Sequence, residues 1–186
     1  MSAGPAGSTR VKLQLWALLL ACLPLHSIAE VTAVSADGFS VSHTVSTAAS
    51  PERSWTAMTG QIDRWWDPAH SWSADAANLY IQPGIGGCFC ERLPGSAGPG
   101  GVEHLRIIYF QPRREIRFDG ALGPLQTMNL QGRMLWQIEA AEGGSTITFT
   151  YMVNGALEGG FEALAPAVDS VISLQLDRLA AFLAEN

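Results

Sequence analysis

The sequence has few positively charged residues for its length. Its 186 residues include 11 Lys and Arg against 17 Asp and Glu, and 47% of them are hydrophobic. Proteins that bind DNA or RNA surround their aromatic side chains with Lys and Arg, which neutralise phosphates. Here Asp63, Arg64 and Asp67 flank the pair Trp65-Trp66, so the sequence argues against a nucleic-acid partner. The hydrophobic content instead indicates one globular domain with a sizeable core.

The apolar run near the N-terminus is too short to cross a bilayer, which needs about 20 residues. It spans residues 13–25, follows Arg10 and Lys12, and precedes Ser27-Ile28-Ala29. A basic start, a short apolar centre and small residues at the end are typical of a signal peptide. We therefore predict that residues 1–29 are a signal peptide and that residues 30–186 form the exported domain, either periplasmic or secreted.

Two alternatives remain for the N-terminus. The apolar run could stay attached as an uncleaved anchor, or Cys22 could be lipidated, because residues 19–22 resemble a loose lipoprotein box. Cleavage after Ala29 leaves nine Lys and Arg against 17 Asp and Glu, a formal net charge of −8. Such a charge repels phosphate backbones.

Motifs of common catalytic sites are missing from the sequence. It has no Gly-x-Ser-x-Gly elbow of serine hydrolases. The glycine-rich residues 83–87 lack the Lys of a phosphate-binding loop. Neither internal repeats nor a linker that would separate a second domain is present. The sequence therefore predicts a single domain without a cofactor.

Hydrophobic periodicity predicts an antiparallel sheet between helices. Residues 39–47 alternate strictly between apolar and polar, as in a half-buried strand. A helix begins after Ser50, a favourable N-cap that precedes Pro51, and ends at Asp67-Pro68. A last helix over about residues 166–183 has one apolar stripe, which covers the apolar face of the sheet. Further strands are predicted at residues 79–82, 88–93, 102–110, 114–119, 130–138 and 146–153.

Five short motifs follow these elements in order. They are residues 49–55 after the first strand, Trp65-Trp66 at the helix end, Gly86-Gly87 before the third strand, residues 112–116 between the fourth and fifth strands, and residues 164–169 before the last helix. In order and spacing they resemble the START/Bet v 1-like superfamily, also called SRPBCC or helix-grip proteins. Within it the sequence is most similar to the branch of Hsp90 ATPase activators and polyketide cyclases. The resemblance extends from about Phe39 to the C-terminus.

The resemblance implies an α+β helix-grip fold, in which a curved antiparallel β-sheet wraps around a long C-terminal helix. It also implies a cavity between them, with short helices after the first strand at its mouth. We expect one of Trp65 and Trp66 to fill the core and the other to line the cavity entrance; alternatively, both belong to the core. The predicted ligand-cavity residues are His43, Trp65, Trp66, Tyr80, Tyr109, Trp136, Phe149, Tyr151 and Ile172.

His43 is a lone histidine on the apolar face of the first predicted strand. It could serve as an acid or base in the cavity, but a buried histidine is more often satisfied by a neighbouring carbonyl or hydroxyl. The second interpretation is favoured because no acidic partner can be assigned from the sequence. Separately, the stripe pattern of the last helix places Asp169 on its far side. His70, in the loop after the two tryptophans, is predicted to be solvated.

Cys88 and Cys90 face the same side of one predicted strand. A zinc site would need more ligands, and a pairing of Leu93 with Val102 turns His104 away from the cysteines. A disulfide would require Cα atoms near the limit of allowed separation, although an oxidising compartment permits it. Two small buried thiols are therefore the favoured interpretation, and no metal is predicted.

Three functions are compatible with these patterns. The first, which we predict, is binding of a small hydrophobic ligand, lipid-like or aromatic, between the sheet and the last helix. The second is a cyclase or hydratase that uses a cavity residue such as His43 or Tyr151 as acid or base. The third is a co-chaperone that acts through its surface, which export argues against.

Overall fold

The computed structural model describes Met1, residues 28–95 and residues 98–185, with side chains from residue 33 onward. Most of the predicted signal peptide falls in residues 2–27, outside the described residues. The alternative lipidation site, Cys22, falls there too. The predicted cleavage site after Ala29 falls within a strand, β1 (Ile28–Ser35), which the sequence patterns did not indicate.

Eight antiparallel strands form one sheet in the order β1-β2-β8-β7-β6-β5-β4-β3. The strands after β1 follow most of the predicted segments. They are β2 (Gly38–Thr47), β3 (Leu79–Ile81), β4 (Cys88–Leu93), β5 (Gly100–Gln111), β6 (Glu115–Asp119), β7 (Leu130–Ala141) and β8 (Gly144–Gly155).

The long helix α3 (Leu164–Glu185) packs on β1, β2 and β8 and completes the helix-grip arrangement. It buries an apolar stripe that contains Ile172, Leu176 and Leu179, as the helical spacing predicts. The curved open sheet and this C-terminal helix confirm the predicted α+β helix-grip fold.

The predicted helix after the first strand is divided in two. Helix α1 (Pro51–Gly60) begins at Ser50, whose Oγ accepts a hydrogen bond from the Arg53 amide at 3.2 Å. It ends after Gly60, a poor helix former, where Gln61 adopts φ −137° and ψ 27°. Helix α2 (Ile62–Trp65) is a single turn.

Aromatic side chains dominate the core between the sheet and the helices. The Trp136 ring stacks on Phe149 with centroids 4.7 Å apart and meets Phe118 edge-on at 4.9 Å. Trp65 contacts both Trp136 and Phe149, is 1% exposed, and donates from its indole nitrogen to the Ala57 carbonyl at 2.9 Å. Trp65 therefore joins the end of α2 to the centre of the sheet.

Candidate ligand cavity

A cavity of about 480 Å³ lies between the N-terminal half of α3 and the inner face of β4 and β5. The segment 66–72 and a 3-10 turn, Gly123–Met128, close its sides. The helix contributes only apolar atoms at this surface, from Leu164, Ala167, Val168, Val171 and Ile172. The opposite walls include Trp66, Trp72, Phe89, Leu122, Leu125 and Met128. The polar part of the lining consists of three residues, His70, Ser71 and His104.

A β-bulge between β4 and β5 turns His104 toward this cavity. Phe89 pairs with Leu105 but the next residue, Cys90, pairs with Glu103, so His104 is the extra residue of β5. As a result His104 and Leu105 are both buried, although they are neighbours in a strand. Bulges commonly redirect a side chain in this way.

The hairpin departs from the register assumed in the sequence analysis. Leu93 pairs with Gly100, not with Val102, so that register is wrong. The bulge, further along the hairpin, then buries His104 together with Leu105, which regular alternation along β5 does not predict. His104 is 5% exposed and lines the cavity.

His104 forms a buried pair with Glu91, a residue that the sequence patterns did not single out. Nε2 of His104 lies 2.9 Å from Oε2 of Glu91, which is 1% exposed. The same carboxylate accepts hydrogen bonds from the amides of Trp72 at 3.0 Å and Ser73 at 2.5 Å. Glu91 therefore holds both the histidine and the loop that carries Trp72. One sequence signal was available: Glu91 lies two residues after Phe89 and therefore shares its face of β4.

The pKa values of this pair assign its protonation. Burial raises the pKa of Glu91, but the hydrogen bonds from Ser73, Trp72 and His104 together bring it below its ordinary value of 4.5. Burial lowers the pKa of His104 below 6.5, and the nearby Glu91 offsets this only partly. Near pH 7 the carboxylate is therefore ionised and the imidazole neutral.

This protonation fixes the tautomer of His104. An ionised carboxylate only accepts hydrogen bonds, so Nε2 of His104 carries the hydrogen and Nδ1 has a lone pair. Among the described residues, Nδ1 of His43 is the one sealed polar side-chain atom without a partner. Nδ1 of His104 is not among these sealed atoms, and because His104 lines the cavity, this nitrogen is available to a ligand there as a hydrogen-bond acceptor.

His70 presents the complementary group. Oε1 of Gln175 accepts from the Asp67 amide at 2.8 Å, so Nε2 of Gln175 is the atom that donates to Nδ1 of His70 at 3.1 Å. A histidine that accepts at Nδ1 carries its hydrogen at Nε2. His70 is exposed, as predicted, but it is also tied to α3 and lines the cavity. The two histidines therefore offer one acceptor and one donor.

A disulfide joins Cys88 and Cys90, which flank the cavity residue Phe89. Their Cα atoms are 5.4 Å apart, whereas positions i and i+2 of a regular strand are about 6.6 Å apart, near the upper limit for a disulfide. The register shift of the hairpin falls between Phe89 and Cys90, inside this short segment. The favoured expectation of two free buried thiols is therefore wrong. Within residues 28–95 and 98–185, no group of three potential metal ligands occurs.

Comparison with known proteins identifies the family. A family model described as polyketide cyclase / dehydrase and lipid transport matches residues 38–184. The chain belongs to this family. The match confirms the predicted SRPBCC resemblance. No curated protein matches the chain in sequence.

Solved structures of low sequence identity share the fold of this family member. CalU16 from Micromonospora echinospora has a TM-score of 0.56 at 14% identity, with 85% of each chain covered. A protein from Rhodobacter sphaeroides has a TM-score of 0.55 at 17% identity, covering 86% of this chain and all of that one. The Aha1 dimer from Colwellia psychrerythraea has a TM-score of 0.50 at 18% identity, covering 77% and 95%.

Only some of the predicted ligand-cavity residues line the cavity. Trp66 and Ile172 do so. His43, Trp65, Trp136, Phe149 and Tyr151 are buried outside its lining. Tyr80 is half-buried beneath the Arg92 guanidinium, 4.5 Å from its ring centre. Tyr109 is 37% exposed and stacks with Arg117, so it lies on the outer surface instead of in the cavity.

Tyr151 acts on the cavity indirectly. Its hydroxyl accepts from the Leu122 amide at 2.9 Å and donates to the Gly120 carbonyl at 3.3 Å. These bonds hold the segment that leads into the 3-10 turn Gly123–Met128. Burial raises the pKa of Tyr151 above its ordinary value, so the hydroxyl stays protonated and the tyrosine supports the wall.

His43 has an acidic partner after all. Its Nε2 lies 2.7 Å from Oδ1 of Asp169, which belongs to α3. The expectation that Asp169 covers the far side of the helix is wrong. Asp169 lies four residues after Ala165 and three before Ile172, both buried, so it shares their face. This pair ties α3 to β2 outside the cavity lining.

No described helix is both long and apolar enough to cross a membrane.

Proposed function

We propose that the protein binds a small, mostly apolar organic molecule in the cavity between α3 and the sheet. The cavity itself is the observation that carries this proposal: about 480 Å³ of space behind walls that are almost entirely apolar. Small-molecule sites typically have volumes of about 300–1,000 Å³, apolar walls and a few placed polar groups. The family description, which includes lipid transport, supports the same function.

The apolar wall is held in place before a ligand arrives. Trp66 is 4% exposed, and its indole nitrogen donates to the His70 carbonyl at 3.0 Å. Phe89 meets the Trp66 ring edge-on at 5.0 Å. Because the Trp66 N–H group is already satisfied, this residue offers a ligand an apolar ring surface. A preorganised surface of this kind reduces the entropy lost on binding.

A cavity-filling substitution tests this function. Ala167→Trp places a large ring at the cavity wall on α3, and we expect it to weaken uptake of the neutral fluorophore N-phenyl-1-naphthylamine at least tenfold. Leu174→Trp is the matched control, because Leu174 lies on the same helix, is 37% exposed and does not line the cavity. Fluorescence titration of both variants is the measurement. Equal fluorophore affinity in the Ala167→Trp variant and the wild type would refute the proposed site.

The two histidines favour acid–base catalysis as a second candidate function. Nδ1 of His104 can accept a proton from a carbon next to a ligand carbonyl, while Glu91 stabilises the resulting imidazolium. The electron pair of the broken C–H bond moves to the carbonyl oxygen, where Nε2–H of His70 can donate a hydrogen bond. The word dehydrase in the family description is consistent with such chemistry.

Proton exchange tests this second function without knowledge of the natural substrate. With 2-decanone in D₂O, we expect the wild type to accelerate deuterium incorporation beside the carbonyl, because His104 would remove and return the proton. The His104→Gln variant should exchange at the buffer rate, and Leu174→Trp should behave as the wild type. NMR follows the loss of the proton signals. Wild-type exchange no faster than buffer, in the presence of demonstrated ketone binding, rejects the catalytic function.

A further inference from the structure

The polar groups of the cavity discriminate between ligand head groups. Of the three polar residues in the lining, His104 is the most buried, at 5% exposed, whereas His70 is exposed. Glu91 fixes the hydrogen of His104 on Nε2, at 2.9 Å from its carboxylate. Nδ1 therefore faces the cavity as an acceptor, and a ligand satisfies it only by donating a hydrogen bond.

Charge excludes the most common alternative head group. Among the residues that the structure describes, the lining contains no Lys, Arg, Asp or Glu, so an ionised carboxylate would enter an apolar space without a counter-charge from them. Burying an unpaired charge is strongly unfavourable. The Glu91 carboxylate lies 2.9 Å from Nε2 of His104, and its negative charge repels an anion. Fatty-acid anions therefore find neither a donor at His104 nor a cation.

We propose that the ligand is an uncharged, mostly apolar alcohol or phenol whose hydroxyl donates a hydrogen bond to Nδ1 of His104, and that carboxylates are rejected. This inference rests on the proposed binding function and specifies its ligand class. The neutral state of His104 agrees with the downward shift of its pKa on burial. An ether or ester of the same size would leave Nδ1 desolvated and unsatisfied, which reduces affinity.

Three chain-matched probes test the ligand class: 1-decanol, its methyl ether, and decanoate, each displacing N-phenyl-1-naphthylamine from the wild type at pH 7.5. We expect 1-decanol to bind about tenfold more tightly than the ether, a difference of about 1.4 kcal/mol, and decanoate to bind most weakly. In the His104→Leu variant, decanol and ether should bind within about twofold of each other, because the acceptor is gone.

The outcomes separate this inference from the proposed function. If decanoate or the ether displaces the fluorophore as well as 1-decanol does in the wild type, the ligand class is wrong while binding in the cavity stands. If neither the fluorophore nor any of the three probes binds, the proposed function itself fails. Comparison of the three probes on the wild type tests the ligand class even if the His104→Leu variant does not fold.

Discussion

Replacing Trp65 with alanine is expected to lower the free energy of unfolding by about 3–5 kcal/mol, the usual cost of removing a large buried aromatic side chain. Trp65 is 1% exposed and contacts Trp66, Trp136 and Phe149. Its indole nitrogen also satisfies the Ala57 carbonyl. The substitution therefore leaves a cavity at the junction of α1, α2 and the sheet, and the Ala57 carbonyl keeps only its hydrogen bond from the Gln61 amide at 3.2 Å.

Denaturant unfolding measures this loss, and Trp72→Ala provides the control. Trp72 is a tryptophan in the same stretch of sequence, but its residue surface is 51% exposed. Its substitution should change stability by no more than about 0.5 kcal/mol, as is usual for surface positions. Similar losses in the two variants would mean that Trp65 does not anchor the helices to the sheet.

Replacing Glu91 with glutamine is expected to lower the free energy of unfolding by about 2–3 kcal/mol at pH 7. The carboxylate accepts from His104 and from the Trp72 and Ser73 amides, and hydrogen bonds to a buried charged group contribute about 1.5–3 kcal/mol each. Glutamine keeps one acceptor oxygen but places an NH₂ group against one of these donors. The substitution therefore weakens the hydrogen bonds that hold the loop carrying Trp72 and the one that fixes the orientation of His104.

The pH dependence of this loss gives an independent readout. Because the pKa of Glu91 is lowered on folding, its stabilisation is present above its unfolded value of about 4.5 and is lost as the pH falls through the folded pKa. The stability difference between wild type and Glu91→Gln should therefore narrow on acidification below pH 4.5. Glu103→Gln is the control, because the Glu103 side chain is 43% exposed in its pair with Arg106 and contributes little. A difference that is constant from pH 7 to pH 3 contradicts an ionised Glu91.

Much of the fold follows from the periodicity of the sequence. Alternation places the strands β2, β7 and β8 because each buries one face, and the helical stripe around Ile172 and Leu179 locates α3. These regular patterns also identify the side chains of the core. They define where the sheet and the helix meet, and hence where a cavity can form.

The polar centre of the cavity depends on departures from that regularity. His104 faces inward only because of the bulge opposite Phe89 and Cys90, and a pattern that assumes period two places it on the other face. Glu91 is a charged residue in an apolar position, and two of its partners, the amides of Trp72 and Ser73, come from a loop nearly 20 residues earlier. Such a contact is set by the tertiary fold, and no local pattern predicts it.

The central claim is that an uncharged, hydroxyl-bearing apolar molecule occupies the space between α3 and the sheet. Intermolecular nuclear Overhauser effects between 1-decanol and the methyl groups of isotope-labelled protein test it most directly. We expect contacts from the decanol chain to Leu125, Val171 and Ile172, with the hydroxyl end nearest His104. Contacts confined to exposed side chains such as Ile108 and Leu174, or no contacts at all, would contradict it.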